Sequence, residues 1–336
     1  MDILKSVRDL ILRAFRIPKP YNWGYPVFYG AAGFAIAALI LKLMFSGAFQ
    51  FSSTSLIGCA ITVIMIVMFA FVAPSVLIAE RGGICITGHY TGIGVLILSF
   101  LSGAPVYLVK VSFHNILTSL WLKLGGTVIF PAVFYHVDGL TGQTLLLEIL
   151  IDTIVPAFGF SLFFFGAVWQ GFPENNKKWA FIIVPLLMAL FAYDLMDVFS
   201  ILIIGWWLCI VRKNTGNIYG PILALIGSRL TGILIDSILY EIDLTSIRVY
   251  SDIPSTMYFA TIPAIIVAVI LFAFFRKSLG EFFAAYSADI YGDEKGPEDR
   301  DGGLANSVLY GFNITLILGV LILIAFWILL TKGVRL

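Results

Sequence analysis

Residues 144–170 read TLLLEILIDTIVPAFGFSLFFFGAVWQ. Two acids, Glu148 and Asp152, fall near the start, and from Thr153 to Trp169 there is no charge. About 20 mostly apolar residues suffice to cross a hydrocarbon core roughly 30 Å thick. The apolar residues form one long run, with none of the alternation of a half-buried strand. The stretch therefore predicts a membrane-spanning helix with acids close to one end.

The same pattern extends in both directions. Apolar runs occupy 26–46, 54–79, 91–136, 144–170, 179–197, 198–211, 218–240, 256–275 and 304–331. The chain is 60% hydrophobic and 12% charged, against about 25% charged in a soluble domain. The fold class that follows is an all-α, polytopic bundle of about nine crossings.

The 91–136 run is long enough to cross twice, and flanking charge decides its reading. With one crossing there and the N-terminus inside, Lys5, Arg8, Arg13, Arg16, Lys19, Arg81, Lys177, Lys178, Arg212, Lys213, Arg276, Lys277, Lys295 and Arg300 share the cytoplasmic side. Only Arg248, Lys332 and Arg335 face the other. A second crossing makes the two sides nearly equal, so one crossing is expected, in a multi-pass protein of the plasma membrane.

Four regions follow. Residues 1–20 place Ile3, Leu4, Val7, Leu10, Ile11, Ala14 and Phe15 on one helical face and Lys5, Arg8, Arg13 and Arg16 on the other. This is the pattern of a helix lying in the lipid interface. Residues 25–143 hold the first spans and 144–240 a central core. Residues 256–336 hold two more spans, joined by an acidic, Gly/Pro-rich loop at 276–303.

Several function classes are disfavoured. A net charge of +1, with its basic residues dispersed, gives no nucleic-acid surface. Cys59, Cys85 and Cys209 form no C-x-x-C pair; they read as small packed residues, not a disulfide or zinc framework. His89, His114 and His136 form no H-x-x-x-H pair and read as interfacial or hydrogen-bonded side chains. No metal or cofactor is expected. The sequence has no G-x-S-x-G, Walker A or G-x-G-x-x-G element.

What remains are ionisable residues inside apolar runs. A charge at mid-membrane costs about 2.5–3.5 kcal/mol and usually faces a partner or a cavity. Glu148 and Asp152 share one helix face, Asp194 and Asp197 sit at a junction of two runs, and Arg229 and Asp236 share a third helix. The simplest arrangement pairs Arg229 with Asp194 or Asp197 as a helix-locking ion pair. Small-residue spacing at Ala31/Ala35, Gly33/Ala37 and Gly216/Gly220 predicts close helix contacts.

Two stretches in the core carry a resemblance. FSLFFFGAVW at 160–169 has the outline of an E-E-x-x-x-R-G motif, and RKNTGNIYGPILALIGSRL at 212–230 that of an R-T-G…P-I-L-A-H-x-x-x-N loop and helix. Together they resemble the CAAX protease and bacteriocin-processing (CPBP) membrane family, which includes the type II CAAX prenyl endopeptidases. The resemblance implies a helical core in which glutamates activate water, with histidines and an asparagine or aspartate in support. Phe160 and Ser161 fill the glutamate slots, Phe165 the arginine slot, Leu225 the late histidine slot and Arg229 the last. A phenyl ring supplies neither a base nor a metal ligand.

The expected function is therefore a non-catalytic scaffold, an accessory subunit, or a binder of a hydrophobic peptide or lipid. Its partners would be the bilayer and a membrane protein or hydrophobic peptide. The residues leave two alternatives open. One is a transporter or channel using the intramembrane acids and helices broken at Pro74, Pro105, Pro156 and Pro185. The other is an active peptidase using Glu148, Asp152, Asp194 and Asp197.

Overall fold

The structure, a computed structural model, describes residues 21–45, 56–82, 85–88, 91–125, 149–172, 174–192, 196–235, 238–240, 242, 250–253, 255–290 and 311–331. The expected interfacial helix at 1–20 and the acidic tract 291–303 lie outside the described residues, as do His89 and His136.

The apolar runs form nine helical segments among the described residues. They are α1 (Gly24–Leu43), α2 (56–82), α3 (Ile93–Lys123), α4 (Ile149–Val168), α5 (Ala180–Ala192), α6 (Val198–Thr215), α7 (Tyr219–Ile235), α8 (Ser255–Ile290) and α9 (Ile314–Thr331). Six helices are long and apolar enough to cross a membrane, and two more are shorter and apolar. No strand forms among the described residues; the extended pairing there is a single bridge between Gly88 and Asn217.

Proline shapes two of these helices. Proline lacks an N–H and clashes with the carbonyl four residues earlier, and a widened turn relieves both. In α2 a π-helical stretch, Val67–Val72, lies just before Pro74. In α4 another, Ile149–Ile154, lies just before Pro156. A third π-helical stretch, Ser161–Val168, has no proline beside it and occupies the motif-like segment. Pro185 sits inside α5, and the α3 helix is interrupted at Ser102, just before Gly103 and Pro105.

Helix directions test the expected topology. Trp207 Nε1 donates to Ser102 Oγ and Asp197 meets His114, so α6 runs antiparallel to α3. Tyr107 donates to the Leu239 carbonyl and Gly103 abuts Ser228, so α7 runs parallel to α3. Gly24 lies against Gly311, Gly319 against Phe28 and Phe34 against Phe326, so α1 and α9 are parallel. An odd number of crossings from α1 to α9 requires these directions. A second crossing in the 91–136 run would reverse α6 against α3.

Close approach rests on glycine where expected in α1: a Cβ on Gly33 would lie 1.9 Å from the Phe69 carbonyl oxygen. The Gly216/Gly220 expectation fails. Gly216 has φ +69 and ends α6 in the left-handed conformation, whereas Gly220 belongs to α7. The pair serves a turn between two helices, and a left-handed residue cannot continue either one.

Candidate functional site

The motif-like segment lies in the middle of the bundle. Every residue from Ser161 to Val168 is buried. Phe160, Phe163 and Phe164 meet Phe71 of α2 and Phe191 of α5 in one aromatic cluster. Phe71 and Phe160 have ring centroids 4.6 Å apart, and Phe163 and Phe164 meet edge-on at 4.9 Å. Phe191 is 5.6 Å from both Phe163 and Phe164. Each such pair adds about 0.5–1.5 kcal/mol beyond the area it covers. In lipid this matters more than usual, because helix association there depends on packing.

The residues in the resemblance's slots are now placed. Leu162 packs with Ile218, Ile222 and Ile226 of α7, and Gly166 faces Ile218. This antiparallel register puts Phe160 and Ser161 level with Leu225, and Arg229 about a turn farther from Gly216. Ser161 is fully buried and its hydroxyl has no hydrogen-bond partner. An enclosed, unpaired hydroxyl costs about 1–3 kcal/mol.

Phe165 contributes through its backbone. Arg212, only 3% exposed, donates from Nε to the Phe165 carbonyl at 2.7 Å. A π-helical turn shifts the carbonyl register, so a backbone oxygen can turn to a side chain from another helix. Flanking charge groups Arg212 with the cations of the cytoplasmic side, but unlike a solvated flanking cation it is buried. It stands at the end of α6, but its guanidinium reaches back into the bundle. The phenylalanine in the arginine slot is thus accompanied by an arginine from the neighbouring helix.

A short loop covers this end. Ile218 N donates to the Thr87 carbonyl at 3.0 Å, and the Asn217 amide bonds Thr91 while its oxygen caps Tyr219 and Gly220. Cys85 is exposed here. The Thr87 hydroxyl, then the Gly88 backbone and more weakly the Arg212 charge hold its thiol below the ordinary value. Of the cysteines read as packed, Cys209 is buried and Cys85 is not.

At the opposite end of α6, of the two acids expected to pair with Arg229, Asp194 lies outside the described residues and Asp197 has other partners. One Asp197 oxygen lies 3.0 Å from His114 Nδ1 and the other 3.9 Å from Lys110 Nζ. Asp197 is committed to α3, so Arg229 is not its partner. Arg229 is half-buried on α7, almost three turns along from the Ile218 level where α7 begins. Glu148, Asp194 and Asp236 lie outside the described residues. Asp152 falls in the first π-helical stretch of α4, with its side chain outside the description. The expected six-residue polar cluster is therefore seen only at Asp197 and Arg229, which do not pair. His114 and Lys110, four apart on one face, were the readable signal for the true partner.

No three His, Cys, Asp or Glu residues among the described ones are grouped to hold a metal. Residues 142–229 match the family model described as type II CAAX prenyl endopeptidase Rce1-like. This core is similar to the CAAX prenyl endopeptidases. The match covers the helices α4 to α7 and ends at Arg229, the last slot of the resemblance. Neither the comparison with curated proteins nor that with solved structures gave a match.

Proposed function

We propose that this chain is a non-catalytic membrane protein built on a CAAX protease-like helical core. It acts as a scaffold or accessory subunit, or binds a hydrophobic peptide or lipid. The observation that carries this reading is what stands in the two glutamate slots: Phe160 packs on Phe71 and Phe164, and Ser161 beside it is fully enclosed, so neither slot holds a carboxylate. Hydrolysis needs a base within reach of a water, and an aromatic cluster supplies neither the base nor the space.

The proposal includes the plasma membrane, with the N-terminus in the cytoplasm. Trp23, Phe172, Gly311 and Phe312 meet at one end of the bundle. Helix directions carry Arg212 and Lys213 to that same end, which suits the side that collects basic residues.

The test is reconstitution of the full chain in vesicles with a prenylated C-terminal peptide. We expect no turnover above empty vesicles, together with a stoichiometric membrane partner after purification in mild detergent. Turnover that disappears in Ser161→Ala or Arg229→Gln would overturn the reading.

A further inference from the structure

We propose that His114, Asp197 and Lys110 form a proton-operated latch tying the start of α6 to α3. The argument is independent of the protease-like reading and uses the other end of α6.

Asp197 immediately precedes α6 but makes no side-chain bond to cap it. A carboxylate at that position ordinarily bonds its own helix's free N–H groups. Here it reaches across to α3, with the His114 imidazole 3.0 Å from one oxygen and the Lys110 ammonium 3.9 Å from the other. His114 is 5% exposed and Asp197 8%. One cation keeps its charge at all ordinary pH values, while imidazole changes charge in the range of about pH 5 to 8. The carboxylate is therefore shared between a permanent partner and a switchable one.

The location gives protons access. The 18 residues of α6 rise about 27 Å, so Asp197 lies one span from the Gly216 turn, near the opposite interface. Lys110 has 34% of its side chain exposed there.

Among the described residues, the other charges stand farther from the His114–Asp197 contact. On α3 itself, Lys123 is nine residues beyond His114, about 13 Å along the helix, and stands over the Tyr250 ring. Helix α7 contributes Arg229, next to Ser228, which abuts Gly103; that contact is about 16 Å along α3 from His114. In α6 the other cations, Arg212 and Lys213, are at the far end. Helix α5 carries no ionisable residue, and α8 meets α3 through Thr261, whose carbonyl accepts from Ser112. Coulomb attraction falls with distance. The 3.0 Å His114–Asp197 contact therefore outweighs repulsion between Lys110 and His114, which are four residues apart on one face.

Protonating His114 turns a hydrogen bond between a neutral imidazole and a carboxylate into an ion pair, adding Coulomb attraction at 3.0 Å. The latch is tight at mildly acidic pH and loosens as pH rises through the imidazole's titration.

Hydrogen exchange of the full chain in detergent, corrected for intrinsic rates, reads this directly at residues 198–204. We expect wild type to exchange there about fivefold more slowly at pH 6 than at pH 8, the size of one ion pair of modest strength. His114→Gln, which can bond but not titrate, should abolish the difference. Lys110→Gln keeps the His114–Asp197 contact and should retain it, which covers the case in which the histidine variant fails to fold. A wild type with no pH dependence, a His114→Gln variant that keeps it, or a Lys110→Gln variant that loses it would each overturn the latch.

Discussion

The two ends of α6 solve opposite problems. Toward the Gly216 end, the buried Arg212 donates to the Phe165 carbonyl, close to the slots where the resemblance calls for carboxylates and Phe160 and Ser161 stand. At the Asp197 end, a helix that reads as apolar carries a carboxylate between an imidazole and an ammonium group. The first end gains its stability mainly from packing. The second has ions, and so its stability can respond to solution conditions.

The aromatic end is the place to apply the largest perturbation. Phe164→Ala would open a cavity between α4, α2 and α5, since Phe164 meets Phe71, Phe160, Phe163 and Phe191. Large-to-small changes of this kind cost about 3–5 kcal/mol. Thermal unfolding in detergent should show a fall of that size, larger than for any change at the Asp197 end. A loss under about 1 kcal/mol would mean the rings are loosely packed.

Arg212→Met comes next. It keeps much of the side-chain bulk and removes the donor to Phe165, leaving a buried carbonyl unpaired. Losing a bond from a charged donor costs about 1.5–3 kcal/mol. Arg212→Lys should recover little of it, because Nε is the donating atom. Full recovery by lysine would show that charge alone matters at this end.

Much of the fold was legible because its signals are local. Run lengths gave the helices, flanking charge gave one crossing for 91–136, and the parallel directions of α1 and α9 agree with both. The partner of Asp197 was not legible, because pairing across helices depends on their rotation and depth. Even so, the polar stripe Lys110, Ser112, His114, Asn115, Thr118 and Ser119 was present in an otherwise apolar run. Arg212 was hidden for a different reason. Its partner is a backbone oxygen turned by a π-helical stretch, and no side-chain pattern encodes that. At Phe160, Ser161 and Phe165 the sequence and the structure agree that the slots are apolar or enclosed.

The smallest expected effect is at Cys85, on the loop over the aromatic end. Its thiol is held below the ordinary value, first by Thr87, so more thiolate is present at neutral pH than in a free cysteine of about 8.5. Alkylation rate against pH should therefore rise at lower pH than for that reference. Thr87→Val should move the profile upward, and an unmoved profile would remove Thr87 as the cause.

The most direct test of the emptied site is its dryness. Ser161→Cys places a thiol at a fully buried position, with the exposed native Cys85 as the internal standard. After treatment with a membrane-permeant maleimide, mass spectrometry of the peptides reads each position separately. The account predicts rapid labelling at 85 and none at 161 until the protein is denatured. Labelling at 161 as fast as at 85 would show a water-filled pocket among those rings and contradict it.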